Sequence, residues 1–419
     1  MAKTKLRKPA RKRPARSASS ADAPPQAEST PLNRSLSAAK KAKQDEFYTQ
    51  YVDIQKEIEA YLEFDLDTFK GKIVYCNCDD PFESNFFKYF AANFNKLGLK
   101  KLITTSYDGS PIAGQGTLFP EYNEGNGKRK NPKALAVIID HVKDEDGDGA
   151  ANVTDVALFL KRNNAARIAL KGDEGNYPGG DFRSPECVAF LKQADIVVTN
   201  PPFSLFREYV AQLMEHKKKL LVIGNLNAIK YKVIFPHVQN DELWLGPTIS
   251  SGDREFQVPE SYPLDAAGWR VDENGTKFIR VKGVRWYTNL DHGRRHQPLS
   301  LMTMAENRKF NKKIQGKSAY ERYENYDAIE VPTTDSIPSD YDKTMGVPIS
   351  FLDKYNPNQF EIIWQASGNT RASTPEAVLK RMGYSPHSDD RGGCAILNGK
   401  RTYDRVFIRH RKPAKKGKE

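Results

Sequence analysis

The sequence predicts an α/β protein built on a doubly wound, mostly parallel sheet with helices on both faces. Short, continuous apolar runs have the character of strands that are buried on both sides, as parallel strands are. The segments between them repeat apolar residues at helical spacing, so strands and helices alternate along the chain. A length of 419 residues accommodates such a sheet and a further, smaller region.

Two helix–strand pairs begin the predicted sheet. The first helix precedes a strand over Lys72–Cys78, and its apolar residues are Ile54, Ile58, Tyr61 and Leu62. The second helix closes at Gly98, ahead of a strand over Lys101–Tyr107. Its apolar face is a stripe of aromatic residues that we expect in the core: Phe86, Phe87, Phe90 and Phe94.

Three further apolar runs complete the predicted sheet, at Ala134–Ile139, Asp195–Thr199 and Lys219–Gly224. A helix over Leu205–Met214 separates the last two. Beyond residue 241 the pattern changes to short strands rich in Trp, Arg, Gly and Pro, such as 242–245 and 278–286. This change predicts a smaller region after the main sheet.

Positive charge is concentrated at the two ends of the chain. The formal net charge is +12, but residues 1–43 carry twelve Lys and Arg against two acids, and residues 409–419 carry six against one. The intervening body is therefore close to −3. Residues 1–43 lack periodic apolar residues, so they are predicted to be a disordered arm that binds phosphates nonspecifically or acts as a nuclear-targeting patch.

Apolar runs and cysteines indicate the cellular setting. No run approaches the roughly eighteen apolar residues of a membrane span, so we expect a soluble protein with no membrane partner. The four cysteines, Cys76, Cys78, Cys187 and Cys394, are too scattered for a disulfide framework and are expected to be apolar packers in a reducing cytoplasm.

The chemistry is predicted at Asn200-Pro201-Pro202-Phe203, directly after the strand Asp195–Thr199. Open α/β sheets bind ligands beyond the carboxyl ends of their strands. The prolines remove N–H donors, so the turn presents acceptors: the Asn200 side-chain oxygen and the Pro201 carbonyl can accept both hydrogens of an amino group. Phe203 can stack on an extruded base. The alternative is a strand-terminating turn with a packed Phe.

Several segments carry a resemblance to a known family. They are Asp45–Tyr51, Val74–Pro81, Ser84–Phe90, Gly180–Ser184, Ala194–Arg207, Trp286–Leu290, Met345–Ile349 and Asn356–Pro357. Together with the Asn-Pro-Pro-Phe turn, and in the same order over roughly residues 40–365, they resemble the EcoRI-type adenine-specific DNA methyltransferases. The resemblance implies a Rossmann-like class I methyltransferase that moves a methyl group from S-adenosylmethionine to the exocyclic amino group of a flipped adenine.

The resemblance also implies a cofactor site. Phe47, Tyr48 and Thr49 match the segment that closes over the methionine end of the cofactor, and the turn after the first strand faces it. That turn lacks the glycine-rich loop of most methyltransferases, a departure that the family shares. The implied cofactor-binding residues are Phe47, Tyr48, Thr49, Asn77, Cys78, Asp79, Asp80, Pro81, Asp108, Asp181 and Phe182. Alone, Tyr48 could be core, and Asp79, Asp80 or Asp108 could be helix caps.

An acidic loop after the third predicted strand fits part of the calcium-loop pattern. The candidate ligands are Asp144, Asp146, Asp148 and Asn152, with Asp155 in place of the usual Glu at the last position. A predicted helix over Val156–Lys161 follows. Calcium here would be structural, since methyl transfer needs no catalytic metal. The alternative is a solvated acidic turn that caps the helix.

Basic and aromatic residues alternate after the catalytic sheet. Arg254, Arg285, Arg294, Arg295 and His296 are candidates for DNA contacts, because Arg binds phosphates and reads guanine in a bidentate manner. The predicted organisation is a basic arm (1–43), a catalytic domain (44–245, with an insertion at about 110–178), a target-recognition region (246–330), a C-terminal part completing the catalytic fold (331–408) and a basic tail (409–419).

The leading function is thus a monomeric, nucleoid-associated cytoplasmic adenine methyltransferase acting on double-stranded DNA, with a cognate restriction endonuclease as a possible partner. Asn-Pro-Pro-aromatic turns also occur in enzymes that methylate RNA or protein glutamine, and the basic ends would suit a non-catalytic DNA-binding protein. A short palindrome such as GAATTC is a reasonable first test substrate.

Overall fold

The computed structural model describes residues 47–78, 84–107, 134–145, 147, 153–162, 167–173, 175–250, 253–258, 262, 264 and 268–414. The predicted arm, 1–43, and the last five residues of the tail lie outside them. The helices of the described part are α1 (Tyr51–Leu62), α2 (Asn85–Ala92), α3 (Val153–Arg162), α4 (Pro185–Gln193), α5 (Phe206–Glu215), α6 (Phe235–Gln239), α7 (Met304–Phe310) and α8 (Glu376–Arg381).

The strands fall into one large sheet and several small ones. They are β1 (Ile73–Asn77), β2 (Lys101–Thr105), β3 (Leu135–Ile139), β4 (Arg167–Ala169), β5 (Gly172–Asp173), β6 (Tyr177–Pro178), β7 (Ile196–Thr199), β8 (Lys219–Asn225), β9 (Trp244–Leu245), β10 (Asp253–Val258), β11 (Arg270–Val271), β12 (Lys277–Lys282), β13 (Val284–Thr288), β14 (Ile329–Glu330), β15 (Met345–Pro348), β16 (Phe360–Ala366), β17 (Ile396–Leu397), β18 (Lys400–Arg401) and β19 (Arg405–His410).

Parallel strands form the centre of the large sheet, whose order is β4-β3-β2-β1-β7-β8-β13-β9. β2, β1, β7 and β8 pair in parallel, so their carboxyl ends share one edge. The two outer strands on each side pair antiparallel, which makes the sheet mixed. β3 and β4 lie within 110–178, so part of the expected insertion extends the sheet.

Apolar residues cover both faces of the central strands. In β7, Ile196 and Val198 belong to one core cluster and Val197 to another, as expected for strands that are buried on both sides. α2 packs its predicted aromatic stripe into the first cluster, whereas α5 packs Phe206 into the second. The prediction of a mixed α/β fold with a buried aromatic helix is confirmed. No helix in the described part is both long and apolar enough to cross a membrane.

Serine side chains begin two of the sheet-packing helices. Ser84 Oγ accepts the Phe86 N–H at the start of α2, and Ser184 does the same for Cys187 in α4, where Pro185 occupies the first helical position. These caps satisfy N–H groups that a helix N-terminus leaves without partners. Because α2 follows β1 and α4 precedes β7, the capped ends of both helices lie toward the carboxyl edge of the sheet.

The region after the catalytic sheet divides between two sheets. β10, β12 and β11 form a small antiparallel sheet, but β13 returns to the large one beside β8. The single strand predicted over 278–286 is therefore two strands. Gly283 separates them at a φ of +69°, a conformation that interrupts a strand and suits glycine.

Residues 331–408 mostly form a third unit of the fold. β14, β15, β19 and β16 make a four-stranded sheet that shares no strand with the large one. It packs on α6, where Phe235 contacts Trp364 at a ring-centroid distance of 5.2 Å. Its apolar residues share one core cluster with residues on one side of the large sheet. That this part completes the catalytic fold stays a prediction.

Candidate active site

The Asn-Pro-Pro-Phe turn leaves β7 at the carboxyl edge of the parallel strands. Asn200, Pro201 and Pro202 are buried, and Phe203 is half-buried. Thr199, the last residue of β7, donates a hydrogen bond from its hydroxyl to the Asn77 carbonyl at the end of β1. The turn is therefore held against the position where a nucleotide-like ligand binds in open α/β sheets.

The two polar atoms of the Asn200 side chain differ in whether they have a hydrogen-bond partner among the described residues. Its Nδ2 donates to the Phe47 carbonyl at 2.7 Å, which requires the oxygen to point the other way. Among the described residues, the buried Oδ1 has no hydrogen-bond partner. An unsatisfied buried acceptor costs free energy, so it marks a position where a ligand donor fits.

Aromatic side chains surround the turn. The Phe47 ring meets Phe203 edge-on at 5.8 Å, and it also contacts Phe256 at 5.8 Å and Tyr262 at 6.1 Å. Phe256 lies in β10 of the small sheet. The catalytic turn, the segment 47–50 and the small sheet thus meet in one aromatic cluster.

The segment 47–50, which we call the strap, connects these elements through its backbone as well. Tyr48 N donates to the Gln257 carbonyl at 3.0 Å, and the reverse bond measures 3.3 Å. Asn85 Nδ2 donates to the Thr49 carbonyl at 2.7 Å. Thr49 Oγ1 is buried and, within the described part of the chain, accepts and donates no hydrogen bond. The strap therefore carries two buried polar atoms that have no partner among the described residues, Thr49 Oγ1 and Gln50 Nε2.

The turn after β1 is pre-shaped by its own side chains. Asn77 Oδ1 accepts from the Cys78 N–H at 2.6 Å and from the Thr105 hydroxyl at 3.1 Å. Cys78 adopts a φ of +61°, an uncommon value for a residue with a side chain. Asp79, Asp80 and Pro81, expected to face the cofactor, lie outside the described residues, as does Asp108.

Asp181 reaches the same edge from the loop before α4. Gly180, at a φ of +78°, lies so close to the Ser106 carbonyl beyond β2 that a Cβ would collide with it. Arg183 forms a bidentate pair with Asp181 at 2.8 and 2.9 Å, and this hydrogen bonding raises the pKa of the guanidinium. Phe182 is buried against Tyr209 at 5.0 Å, so its ring belongs to the core.

Two of the residues expected to contact DNA are buried in internal ion pairs. Arg285 donates to both oxygens of Asp353, at 2.6 and 3.0 Å, and to two backbone carbonyls. Arg295 pairs with Asp241 and lies 3.7 Å above the Trp244 ring. The donors of Arg285 already serve the fold, whereas the buried Nε of Arg295 has no partner among the described residues. DNA contact by either residue stays a prediction.

The other three candidates differ in which of their side-chain donors already have a hydrogen-bond partner. Arg294 donates to the Pro247 carbonyl at 2.5 Å, and His296 bonds Asp291 while stacking on Phe64. Arg254, in β10, is half-buried, and its Nε has no partner among the described residues. Arg254 is therefore the candidate that has an unpartnered donor in the described residues and lies on β10, the strand that bonds the strap.

Glu57 is an important residue that the sequence reasoning missed. It is fully buried on α1, where it accepts hydrogen bonds from Tyr61 and from the Thr248 N–H and hydroxyl. Burial raises its pKa to about 7, although these hydrogen bonds and the charge of Arg294 lower the pKa in part. Its position beside Ile58 on the apolar face of the helix was the available signal.

The acidic loop is only partly described. Asp144 accepts the Gly147 N–H and Asp155 accepts the Glu145 N–H, each at 2.6 Å, as residues of a turn and a helix start do. Asp146, Asp148 and Asn152 lie outside the described residues. Within the described part, no group of three or more His, Cys, Asp or Glu side chains could hold a metal ion. Calcium binding stays a prediction.

The arrangement at this edge defines a class of protein. An acceptor-rich Asn-Pro-Pro-Phe turn after a parallel strand, with the strap and the β1 turn beside it, is typical of amino-group methyltransferases. The family described as adenine-specific methyltransferase EcoRI matches residues 35–411, and the chain belongs to this family.

Curated relatives match over most of their length. The chain is 41% identical over 386 residues to the type II methyltransferase M.EcoRI of Escherichia coli, covering 91% of this chain and 97% of the relative. It is 35% identical over 376 residues to the type II methyltransferase M.MpnI of Mycoplasma pneumoniae, covering 89% and 97%. No solved structure matches. The expectation of an adenine-specific DNA methyltransferase is confirmed by this membership.

Proposed function

We propose that this chain transfers the methyl group of S-adenosylmethionine to the exocyclic amino group of an adenine that is flipped out of duplex DNA. The observation that carries the proposal is the Asn200 side chain, whose nitrogen is held by the Phe47 carbonyl while its buried oxygen has no partner in the described residues. Such an oxygen accepts an N–H from a base placed beside it.

The residues at the carboxyl edge suit the cofactor. The Asn77–Cys78 turn, the Thr49 hydroxyl and Asp181 would hold S-adenosylmethionine, with Thr49 Oγ1 offering a buried polar atom that has no partner in the described residues. When bound, the cofactor supplies an activated sulfonium methyl group, so the protein needs to provide position and electrostatics only. We infer the same role for Asp79, Asp80, Pro81 and Asp108 from family resemblance alone.

The catalytic turn positions the target nitrogen. Asn200 Oδ1 and the Pro201 carbonyl accept the two amino hydrogens, which directs the nitrogen lone pair away from the turn and toward the methyl donor. Phe203 stacks on the extruded base, and Phe47 supports the Phe203 ring edge-on. The nitrogen loses its proton after it becomes cationic, so no general base is assigned.

The DNA is proposed to lie across the strap and the small β10–β12–β11 sheet. Arg254 lies in β10, and its Nε has no partner among the described residues. β10 contacts the strap through Gln257. In this proposal the fold is a doubly wound class I methyltransferase core carrying the small sheet as its target reader. The chain would act as a monomer on the nucleoid in the cytoplasm, with a cognate endonuclease as its restriction partner.

Transfer of a labelled methyl group tests the proposal. Unmethylated duplexes, starting with one that contains GAATTC, should be labelled, and RNA and protein should not. Asn200→Ala should lower kcat by about 10²- to 10³-fold, the usual cost of removing one preorganised hydrogen-bonding group, while duplex binding is kept. The exposed residue Asn240, changed to alanine, serves as a matched control. Wild-type kcat in Asn200→Ala would refute the site.

A further inference from the structure

The β17–β18 hairpin presents basic and aromatic side chains to solvent. Lys400 and Arg401 are exposed, and Tyr403, two residues beyond the hairpin, is 88% exposed. Asn398 and Gly399 form the turn at φ values of +51° and +67°, and a Cβ built on Gly399 would meet no atom within 4 Å. The hairpin therefore presents Lys400, Arg401 and Tyr403 to solvent, while Asn398 and Gly399 of its turn bond Glu321 and Glu324.

The uncompensated charge of this hairpin is positive. Neither Lys400 nor Arg401 forms an ion pair with any described residue. Two neighbouring acids pair with lysines, Glu321 with Lys317 and Asp404 with Lys230. Glu324 and Asp389 instead contact His387, which offsets their charge only when it is protonated. An open groove of about 530 Å³ runs along the hairpin, lined by Asp389 and residues 399–403. A negatively charged partner is favoured there.

The segment after the hairpin contacts the carboxyl edge of the large sheet. β8 runs parallel to β7 with Val222 opposite Thr199, so the residues after β8 lie at the edge that carries the Asn200 turn. Lys230 ends the short 3-10 helix over Leu226–Lys230 that follows β8. Its Nζ is 2.6 Å from Asp404 Oδ2, which anchors the segment after the hairpin to this edge.

A second contact leads back to the catalytic turn. Arg207, four residues after Phe203, places its guanidinium 5.9 Å from the centre of the Tyr231 ring. Tyr231 is 38% exposed and directly follows Lys230. Basic and aromatic side chains therefore extend from the catalytic turn to the hairpin on one edge of the molecule.

We propose that Lys400, Arg401 and Tyr403 bind the phosphate backbone of duplex DNA flanking the target adenine. The inference rests on the proposed function and adds a contact surface far outside the predicted target-recognition region. Lys, Arg and Tyr donate readily to phosphate oxygens, and such contacts fix the position of the duplex without reading its sequence. The hairpin would thus contribute affinity and register, not specificity.

The test compares binding to duplexes whose flanks are lengthened step by step around the target site. In the wild type, affinity should rise with flank length until the hairpin is reached. The double variant Lys400→Ala with Arg401→Ala should bind long duplexes about tenfold or more weakly and lose this rise. Because each lost phosphate contact removes about 0.9 from the slope of log K against log salt concentration, the slope should fall by about 2.

A matched control removes the same charge from the opposite edge. Lys72 and Lys100 are exposed and precede β1 and β2, and the Lys100 N–H bonds the Lys72 carbonyl at 2.9 Å. Their double alanine variant should keep the wild-type slope and flank dependence. Thermal unfolding of both double variants should match the wild type, because the altered side chains are at the surface.

The outcomes separate the inference from the proposed function. A hairpin variant with the wild-type slope and flank dependence would overturn the inference, as would an equal loss in the control variant. Tyr403→Ala should also weaken binding to long duplexes only, and weakening on the shortest duplex would count against the inference. Failure of the wild type to methylate any duplex would overturn the proposed function, whatever the binding data show.

Discussion

Replacing Glu57 by glutamine is expected to stabilise the protein at pH 8 and to do so much less at pH 5. The carboxyl group is fully buried, and Gly246 packs so closely on it that a Cβ at that position would collide with Glu57 Oε1. Thr248 donates twice to one carboxyl oxygen and Tyr61 donates to the other. Glutamine can keep both contacts, its oxygen toward Thr248 and its amide nitrogen toward Tyr61.

The magnitude follows from the pKa of Glu57, which burial raises from an ordinary 4.5 to about 7. An acid whose pKa is higher in the folded state binds its proton more tightly there. The free energy of unfolding therefore falls as pH rises from 4.5 to 7 and stays reduced above 7. At about 1.4 kcal/mol for each tenfold change in proton affinity, the ionised carboxylate costs about 3 kcal/mol at pH 8 and under about 1 kcal/mol at pH 5.

Urea unfolding of both proteins at pH 5 and pH 8 measures this cost. Other titrating groups change in both proteins alike, so the difference between wild type and Glu57→Gln isolates the one carboxyl group. Glu59, an exposed acid on the same helix, changed to glutamine, provides the control and should show no comparable pH-dependent difference. A difference between wild type and Glu57→Gln that is the same at both pH values would refute the reasoning.

Three further substitutions test the site. Arg285→Ala should lower the free energy of unfolding by about 3–5 kcal/mol in urea, since Asp353 is left buried without its partner; a stable variant with weakened DNA binding would instead restore Arg285 as a DNA contact. Gly180→Ala should lower the free energy of unfolding by about 1–3 kcal/mol and weaken S-adenosylmethionine binding in calorimetry, because the added Cβ would collide with Ser106. Unchanged binding would show that this loop is not part of the cofactor site. Phe203→Ala should raise KM for duplex DNA by about 5- to 150-fold, the worth of one base stack, whereas Phe203→Trp should recover most of the loss; equal KM values in all three proteins would exclude stacking.

The strap connects the small β10–β12–β11 sheet to the Asn-Pro-Pro-Phe turn. The Phe47 carbonyl orients Asn200, and the next residue, Tyr48, pairs with Gln257 of β10. Under the proposed function, a movement of β10 on DNA would therefore be passed to the Asn200 amide through two consecutive residues. Glu57 lies on α1, the helix that follows the strap, and accepts a hydrogen bond from Thr248, which precedes the small sheet in the chain. The strap is therefore linked to the segment before β10 as well as to β10 itself.

Local pattern was sufficient for the central strands, the aromatic helix and the position of the catalytic turn. Continuous apolar runs specify strands that are buried on both faces, and a turn that directly follows such a strand must lie at its carboxyl end. The Asn200–Phe203 motif needed no long-range information, because its residues are adjacent in the chain. The family resemblance also needed no tertiary structure, because it depends on sequence segments that follow one another in a fixed order along the chain.

Only the tertiary structure decided which polar groups are free. Arg285 and Asp353 are 68 residues apart, so no local pattern could reveal that their charges neutralise each other in the core. The Asn200 oxygen likewise has no partner among the described residues because the Phe47 carbonyl, 153 residues away, fixes the amide nitrogen and so sets the direction of the oxygen. Chain adjacency sets which residues follow a strand, but hydrogen-bond partners are chosen by packing between distant segments, and that choice separates a site residue from a structural one.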